Sequence, residues 1–290
     1  MIRNLLLFSS LLTGVAHAQT VPQAAQVPSP TDPSEHARLN LPVPANPSLP
    51  TLFLVGDSTV RNGKGDGGGG QWGWGEPLVA FFDTSRVNVV NRAIGGRSSR
   101  TYITEGHLWD TVALLKPGDV VLVQFGHNDG GIPDEPTRAR SSLPGVGDEV
   151  REIENPILKR HEVVHTFGWY MAEYVAAIES KGATAILCSP IPRKTWKDGK
   201  VVRNAANYGG WARAVAEREH VGFIDLDEII GARYDALGEA RVEPLFADPH
   251  THTSLAGAEL NAESVVIGLK RLTKDPVAAE FSAKGLAVKP

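Results

Sequence analysis

Short apolar runs alternate with amphipathic segments along most of this 290-residue chain. The run from Asp119 to Phe125 is nearly continuous, which is typical of a strand covered on both faces. Apolar positions from Phe167 to Ile178 recur instead at helical spacing. The pattern predicts five strands, over 51–55, 87–90, 119–125, 183–189 and 221–226. It predicts helices over 76–82, 108–115, 167–178, 212–219 and 256–272.

Strands separated by helices favour right-handed crossovers and a parallel sheet with helices on both sides. We therefore predict an α/β protein, a three-layer αβα sandwich around a central parallel sheet of about five strands. The domain is expected to cover residues 51–275, followed by a C-terminal tail over 276–290. The long, proline-rich segment 130–159 is predicted to be a lid or a substrate-binding loop.

The first 50 residues have a different composition. A short basic start is followed by an apolar run over 5–12 and by the small-residue cleavage pattern Ala16-His17-Ala18. The apolar run is too short to span a membrane. We predict a signal peptide over 1–18, and hence an exported protein, periplasmic or secreted, without stable membrane insertion. Residues 19–50 contain eight prolines and are predicted to form an extended linker or arm.

Charge and cysteine content exclude two classes of protein. The formal net charge is -4 and no run of lysines and arginines forms a basic stripe, so no nucleic-acid partner is expected. The single cysteine, Cys188, excludes an intramolecular disulfide framework, and its apolar neighbours predict a buried core residue. The sequence indicates no metal, no organic cofactor and no protein partner.

Polar and glycine-rich segments follow the predicted strands. Gly56-Asp57-Ser58-Thr59 comes directly after the first strand, where a strand-to-helix turn would expose the Ser58 hydroxyl and leave its backbone N–H free. Ligands of such sheets bind outside the carboxyl ends of the strands. Acyl transfer requires a nucleophile, a base, an orienting acid and oxyanion donors, and candidates for all of them are expected at this edge. The segments concerned are 56–59, 95–97, 126–129 and 248–252.

These motifs, in this order, resemble the four sequence blocks of the SGNH (GDSL-type) hydrolases, which implies a flavodoxin-like fold. The blocks are Gly56-Asp57-Ser58, Gly96, Gly126-x-Asn128-Asp129 and the Asp248/His252 segment. Further similarity is to the rhamnogalacturonan acetylesterases of carbohydrate esterase family 12. The segments that carry this similarity are Gly73-Trp74-Gly75-Glu76, Gly96-Arg97-Ser98, 125–131 and 250–258. The similarity as a whole covers about residues 51–272.

The resemblance implies a role for each block. Ser58 would be the nucleophile, His252 the base that takes its proton, and Asp248 the acid that orients His252. The backbone N–H groups of Ser58 and Gly96, with the side-chain amide of Asn128, would form the oxyanion hole. Asp57 and Asp129 are interpreted as structural residues.

The position of the acid departs from the family pattern. The family places an aspartate three residues before the histidine, and Pro249 occupies that position here. Asp248 is interpreted as the acid, displaced by a one-residue insertion. The alternatives are that His250 participates or that the acid comes from elsewhere in the chain.

The predicted function is a serine esterase that removes O-acetyl groups from plant cell-wall polysaccharide, rhamnogalacturonan in pectin, through an acetyl-enzyme on Ser58. The expected partner is therefore an acetylated polysaccharide or oligosaccharide. Tryptophans can stack on sugar rings, and the alternative for Trp74 is packing in the core. Arginines can pair with the carboxylates of galacturonate, and the alternative for Arg97 and Arg100 is a position on a solvated turn. The candidate substrate-binding residues are Trp72, Trp74, Arg97, Arg100, His127 and His250.

Three other functions are consistent with parts of the sequence. One is an esterase for another acyl ester, such as acetylated xylan or a small lipid ester. A second is a non-catalytic SGNH-fold protein that binds carbohydrate. A third is a zinc peptidase, because residues 161–165 match the HExxH pattern, although Met171 at the third ligand position is a poor zinc ligand. The glycines of 63–75 are interpreted as a flexible active-site loop.

Overall fold

The computed structural model describes residues 39–204 and 207–290, so the predicted signal peptide and most of the predicted arm lie outside the described residues. Its centre is a parallel five-stranded sheet. The strands are β1 Thr51–Gly56, β2 Asn88–Asn91, β3 Val120–Gln124, β6 Thr184–Cys188 and β9 Gly222–Ile224. Their order across the sheet is β2-β1-β3-β6-β9, which among these five strands reads 2-1-3-4-5, the flavodoxin-like order.

The predicted α/β fold is confirmed, and the ends of the strands differ from the predicted ends by at most two residues. Successive side chains of the central strands enter two separate cores. Leu52 and Leu54 pack in one core, and Phe53 and Val55 pack in the other. Because a strand points alternate side chains to opposite faces, a sheet covered by helices on both faces produces this division. Cys188 lies fully buried in the first core, as predicted.

Helices cover both faces of the sheet. Those on the face of Phe53 are α2 Ser99–Thr104, α3 His107–Val112, α4 Phe167–Glu179 and α5 Tyr208–Glu219. Those on the face of Leu52 are α1 Gly75–Leu78, α6 Leu226–Leu237, α7 Glu239–Val242, α8 Leu255–Arg271 and α9 Ala283–Ala287. None of the helices in 39–204 and 207–290 has both the length and the apolar composition that a membrane crossing requires.

Four helices were absent from the sequence prediction, namely α2, α6, α7 and α9, and two of them begin at clear caps. Helix α2 begins at a capping box, in which Ser98 accepts from the Thr101 backbone and Thr101 accepts from the Ser98 backbone. Helix α6 begins after Asp225, whose carboxylate accepts from the Glu228 backbone. The predicted fifth strand extended through Leu226, and this cap ends the strand earlier.

The segment predicted to be a lid or loop contains an antiparallel hairpin. Its strands are β4 Val150–Asn155 and β5 Arg160–His165, so residues 161–165 form a strand, whereas a zinc-peptidase HExxH motif lies on a helix. Glu162 accepts two hydrogen bonds from the guanidinium of Arg100, at 2.7 and 2.9 Å. The zinc-peptidase interpretation is therefore wrong for this segment. A second, shorter hairpin joins β7 Trp196–Lys197 to β8 Lys200–Val201.

Both ends of the described chain are attached to the domain. The Arg92 guanidinium donates to the Pro42 carbonyl at 2.9 Å, which holds the described part of the predicted arm beside the sheet. At the other end, Val277, Phe281 and Val288 belong to the first core. A domain boundary at 275 is therefore too early, because the predicted tail supplies core side chains.

Candidate active site

Ser58 lies on a tight turn immediately after β1. The Asp57 carbonyl accepts from the backbones of Val60 and Arg61, and the Asp57 carboxylate accepts from the Thr59 backbone and hydroxyl, both at 2.8 Å. Asp57 is fully buried, so it fixes the turn, as predicted. The turn does not lead directly into a helix as expected; a loop rich in glycine separates it from α1.

His252 and Asp248 lie on the segment that leads into α8. Phe246 and Trp72 form backbone bridges to Thr253, which attaches this segment to the glycine-rich loop. Ser254 then caps α8 by accepting from the Gly257 backbone. The backbone that directly follows His252 is therefore fixed, by the bridges at Thr253 and by the helix cap at Ser254.

Ser58, His252 and Asp248 form a continuous chain of contacts. The Ser58 Oγ lies 2.9 Å from His252 Nε2, and His252 Nδ1 lies 2.5 Å from Asp248 Oδ2. This places a hydroxyl, an imidazole and a carboxylate in the order of a serine-hydrolase triad. Ser58 and His252 are 194 residues apart in the sequence, and the fold brings them into contact.

The other carboxylate oxygen of Asp248 organises the loop around it. Asp248 Oδ1 accepts from the backbone N–H groups of His250, Thr251 and His252, at 3.0, 2.6 and 3.0 Å. Partial burial raises the pKa of Asp248, but these backbone bonds and the contact with the His252 ring outweigh it and lower the pKa to about 2. The extra residue between Asp248 and His252 is accommodated by this arrangement.

His250, the alternative participant, is exposed. Its Nδ1 lies 2.5 Å from the Thr251 hydroxyl, and the ring lines the cleft outside the Ser58–His252–Asp248 chain. The geometry thus brings Asp248, and not His250, into contact with His252.

The candidate oxyanion donors converge beside Ser58. Gly96 has a φ of +80°, a left-handed conformation that favours glycine, and Asn128 Nδ2 donates to the Arg97 carbonyl at 2.8 Å. An amide nitrogen carries two hydrogens, so this bond orients Asn128 and leaves a second donor. Ser58, Gly96 and Asn128 all line the same cleft.

Asp129 connects the loops that hold Gly96 and Asn128. Its carboxylate accepts from the Ser99 hydroxyl and backbone at the start of α2, and its carbonyl accepts from the Ser142 backbone. Complete burial raises the pKa of Asp129 to about 7, although the Ser99 bonds oppose this. These bonds agree with the structural role expected of Asp129.

A cleft of about 670 Å³ surrounds Ser58 and His252. Four arginines line it, namely Arg97, Arg138, Arg140 and Arg193. Among the described residues that line the cleft, Glu105 is the one carboxylate, and it lies 2.7 Å from the Arg97 guanidinium. The wall of the cleft is therefore strongly cationic, although the chain as a whole has a net charge of -4.

The family is identified by comparison with known proteins. Residues 54–260 match the model of the GDSL-like Lipase/Acylhydrolase family, which is most of the described domain. The chain belongs to this family. It is accordingly an ester hydrolase, and the non-catalytic alternative is set aside.

Relatives of this GDSL-like hydrolase carry more specific names. It is 32% identical over 215 residues to a rhamnogalacturonan acetylesterase of Emericella nidulans, covering 74% of this chain and 82% of the relative. It is 31% identical over 226 residues to a probable rhamnogalacturonan acetylesterase, YesY, of Bacillus subtilis, covering 76% and 93%. A crystal structure of YxiM from Bacillus subtilis matches with a TM-score of 0.62 and 27% identity, over 77% of this chain and 57% of that one.

Two of the predicted substrate-binding residues of this hydrolase are buried structural residues. Trp74 is 1% exposed, packs in the first core and donates from Nε1 to Gln124 Oε1 at 2.9 Å, so its core alternative is correct. Arg100 is fully buried against Glu162 and donates to the carbonyls of Pro133 and Ser141. Because it is buried and fully paired in this way, Arg100 neither binds galacturonate nor lies on a solvated turn, and both interpretations are wrong for it.

Trp72 also lies outside the cleft wall. A Cβ on Gly67 would stand 2.3 Å from the Trp72 indole, which shows how closely the glycine-rich loop packs on this ring. Arg97, His127 and His250, by contrast, do line the cleft.

Three arginines of the cleft were missed by the sequence analysis. Arg138 and Arg140 come from the segment predicted to be a substrate-binding loop, and Arg140 donates to the Gly96 carbonyl at 3.2 Å. Arg193 follows β6 and donates to the His127 carbonyl at 3.3 Å. Two signals were available, since Arg138 and Arg140 are close together in a long insertion and Arg193 follows the carboxyl end of a strand.

Proposed function

We propose that this hydrolase is a serine esterase that removes O-acetyl groups from an acidic plant cell-wall polysaccharide, rhamnogalacturonan. The observation that carries the proposal is the Ser58–His252–Asp248 chain of contacts at the base of an arginine-lined cleft. The names of the two curated relatives support the same substrate.

The first half of the proposed reaction forms an acetyl-enzyme. The Ser58 Oγ attacks the acetyl carbonyl carbon while His252 Nε2 takes the hydroxyl proton, and Asp248 stabilises the resulting imidazolium. The carbonyl oxygen becomes an oxyanion that accepts from the N–H groups of Ser58 and Gly96 and from the Asn128 amide. The tetrahedral intermediate then expels the sugar oxygen, which takes the proton from His252.

The second half regenerates the enzyme. A water molecule gives a proton to His252 Nε2 and attacks the acetyl carbon of the Ser58 ester, and the same donors hold the second oxyanion. When the Ser58–acyl bond breaks, Ser58 recovers its proton from His252 and acetate leaves. With the ester and this one water molecule as the reactants, every proton and bond in these steps is accounted for.

The charge of the cleft favours an acidic substrate over a neutral one. Galacturonate residues carry carboxylates that guanidinium groups bind with paired hydrogen bonds, whereas the backbone of acetylated xylan offers hydroxyls only. Four arginines against one carboxylate, itself paired with Arg97, give the cleft a surplus of positive charge.

We also propose that the protein is exported, since a cell-wall polymer is found outside the cytoplasm. The supporting observation is the basic start, apolar run and Ala16-His17-Ala18 pattern of the first 18 residues. Mass spectrometry of protein recovered from the periplasm or the medium should find a mature chain that begins at Gln19. A chain retained whole in the cytoplasm would refute export.

The substrate is tested by acetate release from acetylated rhamnogalacturonan and from acetylated xylan. The ratio of the two kcat/KM values should favour rhamnogalacturonan in the wild type. Arg138→Gln should lower that ratio about threefold to tenfold, because an exposed charge contact contributes about 1 kcal/mol. Arg241→Gln is the matched control, since Arg241 is exposed and donates to the Leu237 carbonyl outside the cleft.

Two results would overturn the substrate proposal. One is a wild-type ratio that favours xylan. The other is a ratio that Arg138→Gln and Arg241→Gln leave equally unchanged. Either result would leave the serine mechanism in place and would move the substrate to another acetyl ester.

A further inference from the structure

A second, smaller pocket opens beside the catalytic cleft. It has a volume of about 260 Å³ and lies next to the start of α5. We call it the side pocket; it is lined by Pro190, Asn204, Asn207 and Tyr208, together with His127 and Arg193. Because His127 and Arg193 also line the catalytic cleft, the two spaces share a wall.

Two residues that line the side pocket each carry a buried acceptor atom that has no hydrogen-bond partner among the described residues. These atoms are His127 Nε2 and Asn207 Oδ1. A buried polar atom without a partner costs about 1–3 kcal/mol, so such atoms indicate a place where a ligand or water completes the bonds. Two of them on residues that line one pocket indicate a ligand that donates more than one hydrogen bond.

The protonation of His127 makes its free nitrogen an acceptor. Burial lowers the pKa of His127, so the ring is neutral at neutral pH, and the ring bonds to the Ile191 backbone. That bond uses the other ring nitrogen as a donor, which leaves Nε2 with its lone pair. Burial likewise raises the pKa of Tyr208 to about 12, so the Tyr208 hydroxyl keeps its proton.

The shape of the side pocket is fixed by packing. The Tyr208 ring contacts Phe167 and Trp211 edge to face, with centroids 5.1 and 4.9 Å apart. A Cβ on Gly126 would stand 2.6 Å from the Pro190 ring and 2.9 Å from Tyr208 Cβ, so these side chains close directly over that glycine. The pocket therefore combines a rigid apolar wall with acceptors, which suits a sugar ring.

The charge of the side pocket differs from that of the cleft. Four arginines line the cleft, whereas Arg193, at the shared wall, is the one charged residue among the described residues that line the side pocket. A carboxylate is therefore bound better in the cleft, and a neutral polyhydroxyl group is bound better in the side pocket.

We propose that the side pocket binds a neutral sugar residue that neighbours the acetylated residue in the same chain. The proposal rests on the proposed function, and it specifies the substrate as a polymer in which neutral and acidic sugars are adjacent. Hydroxyls of the neutral residue donate to His127 Nε2 and Asn207 Oδ1, and its apolar face lies on Tyr208 and Pro190. The enzyme thus recognises at least two sugars at once.

The test compares acetylated rhamnogalacturonan oligosaccharides with 4-nitrophenyl acetate, which has no second sugar. Asn207→Ala should lower the ratio of the two kcat/KM values about tenfold, since it removes one hydrogen bond to the substrate. Gly130→Leu should lower the ratio further. A Cβ at Gly130 would lie 3.4 Å from the Tyr208 hydroxyl in unstrained backbone, so a leucine side chain enters the pocket.

Ala176→Leu is the matched control. Ala176 is exposed on α4 and lies outside both pockets, so this variant should keep the wild-type ratio. A general folding defect lowers both activities together and leaves the ratio unchanged, which separates it from loss of a sugar site.

Two failures are distinguishable in this experiment. If the wild type releases no acetate from the oligosaccharides, the proposed function is wrong. If the wild type does release acetate, and Asn207→Ala and Gly130→Leu both keep its ratio while remaining active on 4-nitrophenyl acetate, the side pocket does not bind the substrate.

Discussion

The residue that departs most from the family pattern, Asp248, shows how single side chains set this site. One carboxylate oxygen contacts His252, and the other accepts from three successive backbone N–H groups. Sequence alone identified Asp248 as the acid but left His250 open, because spacing does not show which side chain reaches a ring. In the structure the Asp248 carboxylate contacts the His252 ring, whereas the His250 ring contacts Thr251.

Asp248→Asn should lower kcat about 10³–10⁴-fold, because an amide no longer holds the His252 tautomer or stabilises the imidazolium. His250→Ala should lower kcat less than tenfold, since the exposed His250 contacts Thr251 and not His252. Steady-state kinetics on 4-nitrophenyl acetate measures both. The opposite order of the two losses would contradict the assignment of the acid.

Asp248 should also make stability depend on pH. Its pKa is about 2 in the folded protein and about 4 in an unfolded chain, so ionisation stabilises the fold by about 2 kcal/mol above pH 4. That contribution is lost as the pH falls from about 4 to about 2. Urea unfolding of wild type and Asp248→Asn should give a difference in free energy that shrinks over this range, and a difference that grows there would refute the depressed pKa.

At the scale of elements, the hairpin of β4 and β5 forms one side of the site. Its turn places Ile157 in the wall of the cleft, and Asn155 holds that turn by accepting from the Ile157 and Leu158 backbones. The hairpin was not predicted, because the sequence 150–165 is polar and its apolar positions are few. Its pairing depends on a buried contact with Arg100, which lies about 60 residues away in the chain.

Glu162→Ala should lower the free energy of unfolding by about 3–5 kcal/mol, because it leaves the fully buried Arg100 guanidinium without its counter-charge. Glu152→Ala is the control on the same hairpin. Glu152 is 76% exposed and meets the exposed His161, so its loss should change stability by less than about 1 kcal/mol. Equal effects in chemical denaturation would contradict the role of the buried pair.

At the scale of the whole molecule, the alternation of strands and helices was sufficient to predict the sheet and its two covered faces. The apolar runs of β1, β3 and β6 determine that result locally. The C-terminal end of the domain was not predictable in this way, because residues 276–290 show no clear helical or strand periodicity. Phe281 belongs to the core only through contacts such as the one with Phe82, at 5.1 Å between ring centroids.

Phe281→Ala should therefore lower the free energy of unfolding by about 3–5 kcal/mol, as expected for the loss of a buried phenylalanine. Leu286→Ala is the control from the same C-terminal segment, because Leu286 is 65% exposed and its loss should be nearly neutral. Thermal and urea unfolding measure both variants. A neutral Phe281→Ala would show that the segment is not part of the core.

The cationic wall of the cleft is likewise a property of the folded molecule, since Arg97 alone among its four arginines belongs to a motif that was identified in the sequence. Arg97, Arg138, Arg140 and Arg193 come from three separate parts of the chain and meet in the fold. A composition with more acidic than basic residues does not indicate such a wall. The triad candidates were predictable because each follows a strand or precedes a helix, whereas the substrate wall depends on where a long insertion folds.

The most direct test of the account is to identify the covalent intermediate. Rapid quenching during turnover of acetylated rhamnogalacturonan, followed by peptide mass spectrometry, should find one acetyl group on the hydroxyl of Ser58. Ser58→Ala should show no acetylated peptide and should lose at least about 10³-fold in acetate release. Acetate release that survives Ser58→Ala, or an acetyl group on another residue, would contradict the proposed mechanism.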